Sequence, residues 1–134
     1  MPLSIDLKPF ERLIINGASI RNGDRRSSFL IETHCRFLRE TEIIYESEVD
    51  SPCKKLWLTL QVLHLSEQPK EVEDQFYTQA VEVMRLMPSA ASYIAEIKIA
   101  LDENHTHKAL KAAKRLVQHE REQYDKAQNR SNAA

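Results

Sequence analysis

Residues 13–23 read LIINGASIRNG, and this stretch limits what the N-terminal part of the chain can form. Asn16-Gly17 lies between two short apolar runs. Both residue types tolerate the positive φ angles of a type I′ turn, so the pair predicts a tight β-hairpin. A second pair, Asn22-Gly23, follows six residues later and leads into the apolar run at 29–31. Strands this short with connections this tight favour antiparallel pairing.

The sequence on both sides of this stretch also indicates β-structure. Leu3, Ile5 and Leu7 alternate with polar residues until Pro9 ends the run, which is the period-two pattern of a half-buried strand. Residues 34–38 are one more candidate strand. Because no strand–helix–strand unit can be traced, a doubly wound nucleotide-binding fold is not expected.

The second half of the chain has helical composition and periodicity. Both glycines lie within the first 23 residues, whereas 11 of the 12 alanines stand at position 80 or later, and alanine favours helix. Ser51-Pro52 predicts a helix start, with serine as the N-cap and proline at the first helical position. Residues 56–63 fit a strand by alternation and a helix by the spacing of their leucines, and we prefer the helix.

Three further helices are predicted from apolar residues spaced three or four apart. Pro88 is expected to end the first of them, and Ser89 is expected to cap the next. The residues expected to face inward are Val72, Phe76, Ala80, Val83 and Met87, then Tyr93, Ile94, Ile97 and Leu101, and finally Leu110, Ala113, Leu116 and Val117.

The predicted fold is therefore α+β, a small N-terminal antiparallel β-meander followed by a C-terminal bundle of three to four α-helices. The expected divisions are a β lobe at residues 1–50 and a helical lobe at 51–126. Residues 127–134 have little to bury and are expected to form a frayed tail.

Composition excludes several classes of protein. The 134 residues include 19 Lys and Arg against 20 Asp and Glu, a net charge of −1. This balance excludes a polycation that coats nucleic acid by bulk charge, although it allows a local basic patch. No apolar run is long enough to span a membrane, and the N-terminus has no export pattern. Cys35 and Cys53 have no paired spacing, so we expect reduced thiols and a cytoplasmic location.

The chain contains no catalytic motif that we can identify. It has no Gly-rich phosphate loop, no nucleophile elbow and no His-Glu-x-x-His. His105 and His107 are two residues apart, which on a helix separates them by about 200° and makes a shared metal ion unfavourable. We therefore expect a protein that is not an enzyme and that carries no metal and no cofactor.

Arginine is concentrated at residues 21–39. This segment contains five arginines and only two acidic residues, Asp24 and Glu32, which gives it a net charge of +3. A planar guanidinium can hold a phosphate through two hydrogen bonds and can stack on an unpaired base. The candidate RNA-binding residues are Arg21, Arg25, Arg26, Arg36 and Arg39. The alternative, which spacing alone favours, is that these arginines pair within the fold with Asp24, Glu32 and the acidic residues of 40–50.

A second basic surface is predicted on the last helix. Residues 108–130 contain seven basic side chains against three acidic ones. The members of this secondary basic face are Lys108, Lys111, Lys114 and Arg115. A solvated helix face is the commoner explanation for such a stripe.

The run at 16–26, Asn-Gly-Ala-Ser-Ile-Arg-Asn-Gly-Asp-Arg-Arg, resembles the FlbT family, the regulators of flagellin synthesis in bacteria. Further similar segments are Met1-Pro2-Leu3, Leu7-Lys8-Pro9, Leu38-Arg39-Glu40 with Ile43, Ser51-Pro52, Lys108-Ala109-Leu110 and Arg115-Leu116-Val117. The similarity extends over residues 1–122. The sequence departs from the common family pattern at Thr41-Glu42 and at Cys53, which both lie near the acidic connector.

This resemblance implies a post-transcriptional regulator of flagellum biogenesis that binds the 5′ untranslated leader of flagellin mRNA and promotes its degradation or blocks its translation. Some relatives act in the opposite sense. The resemblance also implies functional ties to a small FlaF-like protein and to flagellin. A matching physical mechanism is binding without chemistry, in which Arg21, Arg25 and Arg26 hold phosphates while Arg36 or Phe37 stacks on a base.

A competing interpretation is a protein-interaction module that acts on flagellin expression indirectly. The helical half would hold flagellin or a FlaF-like helix in a groove. Its support in the sequence is the alanine-rich helix surfaces and an exposed apolar cluster of Met84, Leu86 and Met87, which could equally belong to the core.

Overall fold

The chain forms two compact units in the computed structural model, which describes residues 2–66 and 69–132. The first unit, Met1–Ile43, contains all the described strands, and the second, Ile44–Ala134, contains the long helices. This order confirms the predicted α+β class with antiparallel strands followed by helices. The units divide after Ile43, earlier than the division expected after residue 50.

The N-terminal unit contains two small antiparallel sheets. Strand β1 (Leu3–Leu7) pairs with β4 (Ser27–Ile31) in one sheet. In the other, β2 (Arg12–Ile15) lies between β3 (Ala18–Arg21) and β5 (Phe37–Arg39). The chain therefore crosses between sheets three times, and the strands do not form the simple meander that consecutive short strands suggest.

The hairpin predicted at Asn16-Gly17 is confirmed. The two residues connect β2 to β3 with φ angles of +47° and +83°, and both values are positive, as a type I′ turn requires. The two-residue turn also fixes the register of the hairpin, since Ile15 pairs with Ala18 next to the turn.

Asn22-Gly23 is not a hairpin turn, which corrects the second expectation. Gly23 is not among the described residues with positive φ, and the strands on its two sides belong to different sheets. The Asn22 side chain instead donates hydrogen bonds to the main-chain carbonyls of Leu7 and Lys8. An Asn-Gly pair therefore marks a connection here without forming a tight hairpin.

The core of the N-terminal unit lies between the two sheets. A cluster of Ile5, Leu7 and Leu13 is fully buried there, and Leu38 of β5 is also fully buried in this unit. Partly buried side chains from both sheets pack around this cluster, namely Ile15, Phe29, Ile31 and Phe37. Every second residue of a strand faces the same way, which explains why the period-two pattern of β1 identified Ile5 and Leu7.

The acidic connector between the units is ordered by local contacts. It contains two 3₁₀ turns, Glu40–Glu42 and Glu46–Glu48. A carboxylate of each turn accepts a hydrogen bond from the main chain, Glu42 from the N–H of Arg39 and Glu48 from the N–H of Tyr45.

The helical unit contains α1 (Pro52–Leu65), α2 (Pro69–Leu86), α3 (Ala91–Asp102) and α4 (Thr106–Asn132). Residues 56–63 are therefore helical, and Ser51 caps α1 by accepting the Lys54 N–H. The segment 127–134, expected to fray, is helical as far as Asn132, and its last two residues lie outside the described part.

Ser89 does not cap α3, contrary to expectation. A 3₁₀ turn at Pro88–Ala90 precedes the helix, and Ala90 occupies the N-cap position. The Ser89 hydroxyl hydrogen-bonds Nε2 of His119 on α4 at 2.8 Å instead. The serine thus joins two helices, a contact that a local capping pattern does not predict.

Helix α1 packs against both α2 and α4, and α3 packs against α4. The buried side chains include Leu56, Leu60 and Leu63 of α1, Phe76, Ala80 and Val83 of α2, Ile94 and Ile97 of α3, and Leu110, Ala113 and Leu116 of α4. These residues confirm the inward faces predicted for all four helices. Val72, Met87, Tyr93, Leu101 and Val117 are half-buried.

Glu120 fastens α4 to the start of α1. Its carboxylate accepts a hydrogen bond from the Ser51 hydroxyl at 2.5 Å and another from the Cys53 N–H at 3.2 Å. An acid at a helix N-terminus also stabilises the helix dipole. Burial raises the pKa of the Cys53 thiol and the Glu120 carboxylate adds to this effect, so Cys53 stays protonated and unreactive.

Candidate nucleic-acid interface

The arginine loop, residues 22–26, connects β3 to β4 and is built around one side chain. The Asn22 carboxamide nitrogen lies within hydrogen-bonding distance of three carbonyl oxygens, those of Leu7, Lys8 and Arg25, at 3.2, 2.9 and 2.9 Å. Its oxygen accepts a hydrogen bond from the Ser27 hydroxyl at 2.9 Å. These contacts hold both ends of the loop in one conformation. None of them uses the side chain of Arg25 or Arg26.

Residues 8–11 form the turn against which the loop is held. The Glu11 N–H donates to the Lys8 carbonyl, and the Phe10 N–H donates to the Gly23 carbonyl at 2.9 Å. Phe10 has a φ of +62° and is 57% exposed. The guanidinium of Arg21 donates to the Phe10 carbonyl at 3.3 Å. The arginine loop and this turn therefore form one hydrogen-bonded surface.

Arg25 and Arg26 are both exposed on this surface. Within residues 2–66 and 69–132, neither side chain makes a hydrogen bond or an ion pair. The alternative interpretation, in which carboxylates of the fold neutralise these arginines, therefore does not describe this pair. The guanidinium groups of Arg25 and Arg26 are therefore accessible to an anion from solution.

Of the other three arginines, one lies beside this pair and two lie elsewhere in the N-terminal unit. Arg21 ends β3 beside the loop, so it joins Arg25 and Arg26. Arg39 is half-buried and donates to the Asp6 carbonyl at 2.8 Å. The Arg36 N–H donates to the Asn16 side-chain oxygen and its carbonyl accepts from the Asn16 N–H, at the hairpin end of β2 and away from the end that carries Arg21. The structure thus brings three of the five predicted residues together.

Phe37 does not provide the base-stacking surface expected of it. It is half-buried and packs against the core of the N-terminal unit, because its position in β5 faces inward.

Arg12 lies at the same end of the sheet as Arg21, and it is not among the candidate residues predicted from the sequence. It pairs directly with Arg21 across the hairpin. Like charges directly opposite each other destabilise a sheet, although Arg12 has a partner of its own. A signal was available, since a two-residue turn at Asn16-Gly17 sets the register and places position 12 opposite position 21.

The secondary basic face lies along α4 in the helical unit, where Lys108, Lys111, Lys114 and Arg115 are all exposed. Arg115 forms an ion pair with Glu96 of α3, and Lys114 also has a partner. Lys108 and Lys111 point to solvent, as a solvated helix face would.

The helical unit also contains a groove of about 1250 Å³ between the start of α1 and the later part of α4. Trp57, Val117 and Tyr124 contribute its apolar lining, and Tyr124 is 63% exposed. At the end of α2, Leu86 is exposed, whereas Met84 and Met87, which were also expected to be exposed, are half-buried. The groove and the end of α2 therefore each expose apolar side chains to solvent.

Histidine, cysteine and acidic side chains are the usual ligands of metal ions in proteins. Among those that the structure describes, no three His, Cys, Asp or Glu side chains are placed to hold a metal ion, and both cysteines are free thiols. Over residues 2–66 and 69–132, no helix combines the length and apolar character needed to cross a bilayer.

Comparison with known proteins identifies the family. The family model described as "Flagellar protein FlbT" matches residues 3–123. The probable flagellum biosynthesis repressor protein FlbT of Rhodopseudomonas palustris strain TIE-1 is 30% identical over 91% of this chain and 97% of its own length.

Two further relatives have similar coverage. The corresponding protein of Caulobacter sp. strain K31 is 30% identical over 90% of this chain and 94% of its own. The flagellum biosynthesis repressor protein FlbT of Caulobacter vibrioides strain ATCC 19089 is 29% identical over 91% of this chain and 89% of its own. No solved structure matches the chain significantly. With a family match over nearly its whole length, the chain belongs to the FlbT family.

Proposed function

We propose that this protein regulates flagellum biosynthesis by binding the 5′ untranslated leader of flagellin mRNA, and that the arginine loop carries the binding. Its relatives are named as flagellum biosynthesis repressors, which supports a regulator of flagellar expression. The observation that supports RNA as the ligand is the pair of exposed guanidiniums of Arg25 and Arg26 on a hydrogen-bonded loop, which have no partner among residues 2–66 and 69–132.

The physical argument rests on charge and preorganisation. A guanidinium can donate two parallel hydrogen bonds to a phosphate. Because Asn22 already holds the loop, binding does not have to order its main chain, and this lowers the entropic cost of the complex. Two or three phosphate contacts give modest affinity with a shallow salt dependence.

In this proposal, flagellin expression is regulated by the binding of this protein to the leader of the mRNA. A protein bound there blocks translation or exposes the message to a cellular nuclease, so this chain needs no catalytic group of its own.

Changing Arg25 and Arg26 together to alanine tests the site. We expect binding of a flagellin leader transcript to weaken about tenfold, because two charged phosphate contacts are lost. We also expect the slope of log affinity against log salt to fall by about 1.4, since each contact to a single strand contributes about 0.7. Fluorescence anisotropy at several salt concentrations measures both quantities.

The matched control is a Lys108→Ala, Lys111→Ala double variant, which removes the same formal charge from the secondary basic face. It should bind nearly as the wild type does. Equal losses in the two double variants would indicate non-specific attraction and would refute the assignment of the loop. Replacement of both arginines by lysine separates charge from guanidinium geometry.

The groove beside Trp57 and Tyr124 favours a second candidate function, the binding of flagellin or a FlaF-like helix. An apolar groove with an aromatic lining suits an amphipathic helix. Retention of a flagellar protein on this chain after RNase treatment would favour this second function over the first.

A further inference from the structure

We propose that Phe10 is the base-stacking residue of the arginine-loop site, so that the site prefers single-stranded RNA with unstacked bases over a duplex. This inference rests on the proposed function, because it assigns the part of an RNA ligand that the arginines leave uncontacted.

The main-chain conformation of Phe10 is the first observation. Residues 8–11 form a turn with Pro9 at its second position and Phe10 at its third, with a φ of +62°. Proline holds its own φ near −65°, so the turn is of type II, whose third position usually carries glycine or asparagine. A bulky side chain at positive φ is a strained exception, and such strain concentrates at functional sites.

The surroundings of the ring are the second observation. The chain has four phenylalanines. Phe76 is fully buried, and Phe29 and Phe37 pack against the core of the N-terminal unit. Phe10 is 57% exposed. The fold therefore tolerates strain to present an aromatic side chain that contributes little to any core.

The third observation is the position of Phe10 among the cations. Its N–H bonds to the Gly23 carbonyl in the arginine loop, and its carbonyl accepts from the Arg21 guanidinium. Arg25 and Arg26 follow Gly23 by two and three residues. The exposed Lys8 begins the same turn, while Asp6, Glu11 and Asp24 are the acids nearby in the sequence.

Together these groups have the composition of a site for single strands. Proteins of that kind combine cations that hold the phosphates with aromatic rings on which bases stack. In a duplex the bases already stack on one another, so a protruding ring gains nothing there. Phe10 should therefore contribute to the binding of single strands alone, whereas the arginines contribute to both.

The test compares a single-stranded adenosine oligonucleotide with a fully paired duplex of equal length, together with the flagellin leader transcript. Phe10→Ala should weaken binding of the single strand about tenfold, within the range for loss of one stacked base. Duplex affinity and the salt slope should not change, since no phosphate contact is removed. Phe10→Trp should keep the affinity for the single strand.

Phe10→Asn separates a binding role from a structural one. Asparagine tolerates positive φ, so this variant should melt at the same temperature as the wild type or higher. Its affinity for the single strand should fall as in Phe10→Ala. A lower melting temperature, with affinity retained in the fraction that stays folded, would assign the ring to folding and overturn the proposal.

The remaining outcomes distinguish this inference from the proposed function. Unchanged affinity in Phe10→Ala, together with a loss in the Arg25, Arg26 double variant, overturns the stacking role and leaves the loop assignment in place. If Phe10→Ala instead loses affinity for single strand and duplex equally, stacking is likewise refuted. Failure of the wild-type protein to bind any of the three RNAs refutes both.

Discussion

Asn22→Ala should abolish most RNA binding although it leaves every arginine in place. The substitution removes the carboxamide contacts to Leu7, Lys8 and Arg25 and the one to Ser27. Each is worth about 1 kcal/mol or less, since water can replace it at this partly exposed site, so the N-terminal unit should lose about 2 kcal/mol of stability. The loop then samples many conformations, and we expect affinity for the leader transcript to fall at least tenfold.

A graded series checks that the effect follows from loop order. Ser27→Ala removes one hydroxyl, which contacts the Asn22 side-chain oxygen and the Arg25 carbonyl. The three contacts of the Asn22 carboxamide nitrogen remain, so stability and affinity should fall much less. Chemical denaturation monitors stability, and anisotropy monitors binding of the same preparations. If Asn22→Ala keeps wild-type affinity, the arginines do not depend on a preorganised loop and that part of the account is wrong.

Leu13→Ala should unfold the N-terminal unit selectively. Leu13 is fully buried between the two sheets, and only Ile5 and Leu7 share its degree of burial within that core cluster. A Leu→Ala change in a core costs about 2–5 kcal/mol. A unit of this size with so few fully buried side chains has only marginal stability, so a loss of this size should unfold it. The helical unit has a larger core of its own and should stay folded.

Two-dimensional NMR measures this outcome directly. Resonances of residues in β1–β5 should collapse toward unfolded positions, while those of α1–α4 keep their dispersion. Ile20→Ala is the matched control, because Ile20 pairs with Leu13 across the hairpin but is 42% exposed. It should change stability by about 0.5 kcal/mol or less. Loss of both units in Leu13→Ala would show that they fold as one.

Local patterns predicted those parts of the fold that local forces determine. The turn at Asn16-Gly17 needs only residues that accept positive φ, and the start of α1 needs only the Ser51 cap and Pro52. The helix faces follow from a period of 3.6 residues and buried positions such as Phe76 and Leu116. Each of these elements can be recognised from its own residues.

The pairing of β1 with β4 could not be predicted in this way. Its register, Leu3 with Ile31 through Leu7 with Ser27, joins segments with two other strands between them. The period-two pattern of β1 is equally compatible with pairing to β2, so periodicity alone cannot choose. The choice depends on packing between the two sheets.

Only part of the candidate site was predicted, because its assembly also depends on contacts between distant segments. Charge density identified Arg21, Arg25 and Arg26, but it could not separate them from Arg36, which the fold places at the other end of the hairpin. Nothing in the local sequence indicated that Phe10 would adopt positive φ, because phenylalanine disfavours it. Long-range contacts from Asn22 and Gly23 determine that conformation.

Mapping of the RNA contact surface by NMR tests the central claim most directly. Isotopically labelled wild-type protein is titrated with the flagellin leader transcript, and main-chain amide and arginine side-chain resonances are followed. We expect shifts confined to residues 8–11 and 21–27, with the Nε resonances of Arg25 and Arg26 among the largest. Shifts confined to α4 around Lys108–Arg115, or no shifts at concentrations where binding is measured, would contradict the account.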